Sequence, residues 1–154
     1  MTAPGGDIGV GGVRGIGVDA VDVARFRQVI ERRPGLVHRL FTDTERAYAQ
    51  GCSDPGPRLA ARFAAKEAVL KALGVGVGAA AFRDVEVVRG EGGQPRLSLS
   101  GRAAALSVGR GVGRWHLSMT HTDTVAVGSV VAEGSTPDDA TPDKATPGAE
   151  GAKS

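Results

Sequence analysis

The chain is poor in cysteine and in aromatic residues. Among 154 residues only Cys52 carries a thiol, so no disulfide can close within the chain and no thiolate cluster can hold a metal. Cys52 lies in the loop-like run Gly51-Cys-Ser-Asp-Pro-Gly-Pro57 and reads as a free thiol in a reducing compartment. Aromatics make up 4% against 41% hydrophobic residues, so the core has to be built from Val, Leu, Ile and Ala. No apolar run approaches the roughly 20 residues of a membrane-spanning helix, and the N-terminus has no basic stretch followed by an apolar one. The cytoplasm is therefore the expected location, with no membrane partner. Internal repeats are absent, and so is the Lys-Ser/Thr pair that closes a P-loop.

The length predicts one domain able to bury its own core. Net charge is +2, unevenly spread. Residues 134–154 hold Asp138, Asp139, Asp143 and Glu150 against Lys144 and Lys153, which leaves 17 bases and 13 acids before them. A basic body suits an acidic partner. The final 21 residues are rich in Thr, Pro, Asp, Ala and Gly, lack a large apolar side chain, and are expected to be disordered. Residues 1–12 are Gly-rich and expected to be loose, which leaves 13–133 as the folded domain.

Within that domain a strand is predicted over about Val13–Asp19. A helix follows over Asp22–Arg33, with Asp22 as N-cap and Pro34 as stop. A second helix starts near Thr42, with Glu45 placed for a capping box. Asp84–Arg89 and Arg96–Ser100 read as strands around the turn Gly90–Gly93, and Gly101–Gly109 as a short helix. Strands over Arg114–Thr120 and Thr124–Ala132 flank a turn at His121-Thr-Asp123. The pattern is α+β with a largely antiparallel sheet.

The densest chemistry lies in Arg62-Phe-Ala-Ala-Lys-Glu-Ala-Val-Leu-Lys-Ala-Leu-Gly74, a helix by composition, with Gly74 as its stop. Ala61, Ala65, Ala68, Val69, Ala72 and Leu73 form a stripe to be buried. Phe63, Glu67, Leu70 and Lys71 fall on the opposite side. Glu67 and Lys71 stand four residues apart, one above the other. Such a pair can hold a divalent cation and its bound phosphate, or be a surface ion pair worth a few tenths of a kcal/mol. Lys66 points elsewhere and reads as solvated.

Gly15-Ile-Gly-Val-Asp-Ala20 fits a loose dinucleotide pattern, as does Gly74-Val-Gly-Val-Gly-Ala79. Asp19 would repel pyrophosphate in the first, and the second follows a helix rather than a strand, so neither is a Rossmann site. Asp19 reads as a metal ligand at a strand end or as a helix-entry residue. Arg25, Arg32 and Arg33 line one side of the helix after it, while Val23, Phe26 and Ile30 form a separate apolar stripe.

Arg14-Gly-Ile-Gly-Val-Asp19, Arg62–Gly74 and Trp115-His-Leu-Ser-Met-Thr-His121-Thr122, taken in this order, resemble the holo-acyl-carrier-protein synthases, the short class of 4'-phosphopantetheinyl transferases. That family carries a Gly-Ile-Gly-x-Asp strand, a Phe-Ala-x-Lys-Glu-(three residues)-Lys helix and a Ser-x-(Ser/Thr)-His strand. Phe41-Thr-Asp-Thr-Glu45 resembles its Phe/Leu-Thr-x-x-Glu element, with Glu45 a capping residue or part of a subunit contact. The resemblance covers roughly residues 13–133. Met119 and Thr120 depart from the family's usual Leu-Ser before the His, but Thr keeps the hydroxyl.

The resemblance implies the phosphopantetheinyl transferase fold, an antiparallel sheet carrying a long signature helix. It implies transfer of 4'-phosphopantetheine from coenzyme A to a serine of an acyl carrier protein, in fatty-acid or polyketide biosynthesis, with 3',5'-ADP released. By the same token Asp19 and Glu67 are Mg²⁺ ligands, Glu67 and Lys71 are catalytic, and Lys71, Arg62, Phe63, His121 and Thr122 contact coenzyme A. Arg25 and Arg32, more weakly Arg33, meet the acidic recognition helix of the carrier. Larger relatives contain two such units and a third carboxylate two residues after the Asp; here that position is Val21. The short class assembles as a trimer with sites between subunits, which places His121 across an interface from Asp19, Glu67 and Lys71. A small basic nucleic-acid-binding module is the rival reading. One Trp, one Tyr and four Phe, not interleaved with the arginines, are too few for a stacking platform, so no nucleic-acid partner is expected.

Overall fold

The computed structural model describes residues 11–136, so the expectations for residues 1–10 and 137–154 lie outside the described residues. Strand β1 (Val13–Asp22) runs straight into α1 (Val23–Arg32), whose N-cap Asp22 accepts the Arg25 amide at 2.8 Å. After Pro34 comes a short helix, α2 (Gly35–Leu40), that the sequence pattern had not suggested. Helix α3 (Asp43–Gln50) has the full capping box: Thr42 Oγ1 accepts the Glu45 amide at 3.3 Å, and Glu45 Oε2 accepts the Thr42 amide at 3.0 Å. Helix α4 (Gly56–Ala72) starts at a proline pair and ends at Gly74, whose φ of 67° a side chain would strain. Beyond it lie β2 (Val85–Arg89), β3 (Pro95–Leu99), α5 (Gly101–Gly109), β4 (Val112–His121) and β5 (Val125–Gly134).

All pairings are antiparallel, in two sheets: β1-β5-β4 and the β2-β3 hairpin. Register places Asp19 opposite Gly128 on one side of β5 and Met119 opposite Gly128 on the other. Alternation then puts Gly17, Asp19, Met119, His121, Gly128 and Val130 on one face of the sheet. Helix α4 packs on that face at backbone distance. A methyl on Gly17 would stand 1.9 Å from the Ala68 carbonyl oxygen, and one on Gly15 would stand 2.0 Å from that of Ala72. On β5, a methyl on Gly128 would stand 2.4 Å from the Ala65 amide nitrogen. The glycine-rich segment of β1 is therefore the bed of a helix, not a phosphate turn.

Helix α4 is covered on almost every side. Ala61, Ala65, Ala68, Val69 and Leu73 are buried as the stripe predicts and Ala72 is half-buried, but Ala60, Ala64, Lys66 and Leu70 are buried too. Leu70 joins Val69, Leu73, Val85 and Val130 in one core cluster, while Val23, Phe26, Leu40, Phe41 and Leu59 form a second. Phe63 bridges towards both, 5.6 Å from Phe26 and 5.4 Å from Phe82 between ring centroids. The reading of Lys66 as solvated is corrected: its ammonium is fully enclosed and ion-paired to Glu45 at 2.8 Å. A helical projection locates Lys66 on the helix but cannot show that α3 and β2 close over that side.

Gly17→Ala should destabilise the fold by about 1–3 kcal/mol or more, because the neighbouring atoms are main chain and cannot yield. Gly76→Ala, with nothing within 4 Å of the added methyl, serves as control. Urea unfolding monitored by circular dichroism reads both. Equal midpoints for the two variants would refute the backbone-contact account.

Candidate active site

The end of β1, the start of α1 and one flank of α4 enclose a cleft of about 450 Å³, lined by Asp19, Val21, Arg25, Phe26, Phe63 and Glu67 among others. Lys71 stands at its edge. Its Nζ donates to Asp19 Oδ1 at 2.9 Å and to the Val18 carbonyl at 3.0 Å. The lysine is thus turned toward the strand rather than solely to Glu67 one turn back. Glu67 is half-buried, and its carboxyl is pushed above the ordinary range, first by burial and then by the negative charge of Asp19, with Lys71 opposing. The Asp19 carboxylate is thus paired with Lys71, while Glu67 feels that ammonium only at longer range.

Those two carboxylates suit a hard divalent cation that takes one or two protein oxygens and fills its shell with phosphate oxygens and water. They do not make an all-protein cage: among the described residues no three His, Cys, Asp or Glu side chains come together. Val21 lines the same cleft and adds no oxygen. Arg25 is exposed on the first turn of α1 and Arg32 on the last, with Val29 exposed between them.

Arg62 and His121 belong to a different pocket, of about 200 Å³, on the other flank of α4. Tyr48, Arg58, Arg89 and Met119 also line it. The Arg62 guanidinium lies 4.2 Å from the centre of the Tyr48 ring, Arg89 lies 5.4 Å from it, and Arg58 Nη1 donates to the phenolic oxygen at 3.3 Å. Arg62 is 94% buried, a burial that pushes its pKa down, and its Nε has no partner. Three guanidinium groups around one hollow suit an anion. Tyr48, Arg58 and Arg89 carry no local sequence signature, since they come from three different elements. Thr122 lines neither pocket; its Oγ1 accepts the Thr124 and Val125 amides at 3.3 and 3.1 Å and shapes the β4–β5 turn.

The predicted residues therefore fall into two groups. Asp19, Glu67, Lys71, Phe63 and Arg25 come together on one side of α4; Arg62 and His121 come together on the other. Because Asp19 and His121 flank β5 on the face that α4 covers, the helix stands between them.

Residues 15–126 match the family model described as the 4'-phosphopantetheinyl transferase superfamily. A holo-[acyl-carrier-protein] synthase of Clavibacter michiganensis is 52% identical over 125 residues, spanning 81% of this chain and 99% of that one. The structure of a holo-(acyl-carrier-protein) synthase from Bacillus anthracis in complex with CoA (3',5'-ADP) superposes with a TM-score of 0.67 at 33% identity, covering 80% of this chain and 98% of that one. A Chronobacterium ammoniagenes ACPS-CoA complex gives a TM-score of 0.67 at 28% identity, covering 76% and 94%.

Glu67 supplies a signed test. A carboxyl whose folded pKa is raised loses stability as it ionises, so the penalty is present above the folded pKa and vanishes below the unfolded one. In chelator, Glu67→Gln should melt higher than the wild type near neutral pH, and the gap should close on acidification. A gap that is absent, or grows as pH falls, would refute the assigned cause.

Proposed function

The chain belongs to the 4'-phosphopantetheinyl transferase superfamily, and we propose that it is a holo-[acyl-carrier-protein] synthase that transfers 4'-phosphopantetheine from coenzyme A to a serine of apo-acyl carrier protein. The observation that carries this reading is the Asp19–Lys71 ion pair beside Glu67, in a cleft that Arg25 of α1 also lines. The serine oxygen attacks the β-phosphorus of coenzyme A, the bond to the bridging oxygen of the ADP half breaks, and 3',5'-ADP leaves. Glu67, facing the cleft, is placed to take the serine proton. Lys71 neutralises the bridging oxygen as charge develops there. Asp19 holds the Lys71 ammonium in place through its Oδ1. Asp19 and Glu67 are also the residues that would hold Mg²⁺, which when bound supplies charge neutralisation for the pyrophosphate. On α1, Arg25 and Arg32 offer positive charge and Val29 an apolar contact to an acidic carrier helix.

The anion pocket of Arg58, Arg62, Arg89 and His121 suits the phosphate-bearing nucleotide end of coenzyme A. It lies across α4 from the carboxylates of its own chain, so one copy offers two half-sites rather than one whole. The opposite face of the sheet exposes Ile16 and Val18, at 72% and 58%, beside Ser118 and Ser129. That small, apolar surface is suited to a second copy. A cyclic trimer in which each anion pocket meets its neighbour's carboxylate cleft would complete three sites. The basic body gives no comparable support to a nucleic-acid reading, since no aromatic row accompanies the arginines.

Incubation of the full chain with coenzyme A, Mg²⁺ and an apo-carrier protein, read by intact mass, should add one phosphopantetheine per carrier. Asp19→Ala or Lys71→Ala should lower the rate by about 100-fold or more without loss of fold. Near-wild-type rates in either variant would overturn the assignment of those residues.

Subunit sharing is tested by mixing inactive Lys71→Ala with inactive His121→Ala. Hybrid assemblies should recover part of the activity, since some interfaces keep both residues. No recovery despite demonstrated subunit exchange would put both residues in one subunit's site.

A further inference from the structure

Directly before Glu67 on α4 stands the most deeply enclosed charge of the fold's described residues. Lys66 Nζ donates to Glu45 Oε2 at 2.8 Å, to the Phe82 carbonyl at 3.0 Å and to the Val85 carbonyl. All three ammonium protons are thereby engaged. Glu45 is equally saturated: Oε1 accepts the Val87 amide at 2.9 Å and Oε2 the Thr42 amide at 3.0 Å. One ion pair thus ties α4 to α3, to the Phe82 turn and to β2.

A buried ion pair seldom adds net stability, because desolvation offsets the attraction; an apolar pair of similar volume often does as well. What this pair supplies is direction. Where α4 meets the glycines of the sheet it presents Ala65, Ala68 and Ala72 at backbone distance, with Val69 and Leu73 packed into the core beside them. Such a contact fixes how close the helix lies, and far less how it is turned about its own axis. Each residue turns about 100° around a helix of 3.6 residues per turn, so anchoring Lys66 sets where Glu67 faces. Phe82, whose carbonyl joins the same cluster, packs its ring tilted at 43° against Phe63, another wall of the cleft.

We propose that the Lys66 ammonium, held by Glu45 and the Phe82 and Val85 carbonyls, is a positioning group for the transfer reaction that sets the axial turn of α4 and so aims Glu67 into the cleft. The proposal rests on the transferase reading. Neither Lys66 nor Glu45 lines the carboxylate cleft.

The test compares the wild type with Lys66→Met/Glu45→Gln, which removes both charges and keeps the volumes. Lys66→Gln/Glu45→Gln, also uncharged but able to keep a neutral hydrogen bond across the pair, serves should the first variant not fold, since either single change would leave a buried charge unpaired. Melting temperature, the separate kcat and KM values, and the Mg²⁺ concentration needed for half-maximal 3',5'-ADP binding by calorimetry are read on each. The expected result for the first variant is a melting temperature within a few degrees of wild type, and KM values for coenzyme A and carrier within about twofold. Its kcat falls at least tenfold and its Mg²⁺ requirement rises several-fold; the Gln/Gln variant moves the same way by a smaller factor. A folded variant with wild-type kcat and Mg²⁺ requirement would leave the pair a purely structural element and overturn the proposal. A wild-type chain that transfers nothing overturns the transferase reading, and the positioning role with it.

Discussion

Gly15 and Gly17 let the carbonyl oxygens of Ala72 and Ala68 come where a methyl group would otherwise stand. Everything at the active cleft depends on that approach. With side chains on the strand, α4 would ride higher, and Lys71 Nζ would no longer reach both the Val18 carbonyl and Asp19. The lysine stem is flexible enough to adapt by an ångström, but the two carboxylates are not. Asp19 is fixed by a sheet register pinned on both sides of β5, and Glu67 by the helix. The distance between strand and helix therefore sets the distance between the acids. A motif that resembles a nucleotide-binding turn serves instead to thin a strand.

The same contact explains why the site is divided. Seating a helix at backbone distance on the middle strand puts a continuous rod between the two outer strands. Whatever β1 contributes faces one flank of the rod, and whatever β4 contributes faces the other. Asp19 and His121 are separated by construction, and so are the polar groups that gather around each: carboxylates and one ammonium on the first flank, three guanidinium groups and an imidazole on the second. In the proposed assembly the acidic and basic groups kept apart within one chain would meet across an interface, for which the exposed Ile16 and Val18 of β1 offer apolar surface.

Much of this was legible in the sequence, for local reasons. Asp22 caps α1, Thr42 and Glu45 form the capping box, and Gly74 ends α4, each a short-range rule that tertiary structure did not override. Helix α2 escaped notice because six residues after a proline carry too short a period to register. The two-sheet split was hidden because strand pairing is a long-range property. At the site, Asp19, Glu67 and Lys71 stand in compact motifs and could be singled out, whereas the anion pocket draws Tyr48, Arg58 and Arg89 from three elements and has no local signature. Lys66 is the instructive failure. In sequence a lysine followed by a glutamate is an ordinary exposed helix pair, and only the closure of α3 and β2, with Glu45 supplying the countercharge from 21 residues upstream, converts it into a buried one.

That conversion gives α4 two kinds of restraint with different physics. The alanine–glycine side works through dispersion at close range, strong in sum and weak in direction. The lysine side works through three hydrogen bonds from one charged nitrogen, strongly directional and costly to leave unmade. A helix held only by the first could turn with little loss of contact area; held only by the second, it would have no reason to lie close to the strand. A carboxylate that must meet other groups in a cleft needs both distance and angle, and in this fold the two are set from opposite sides of one helix.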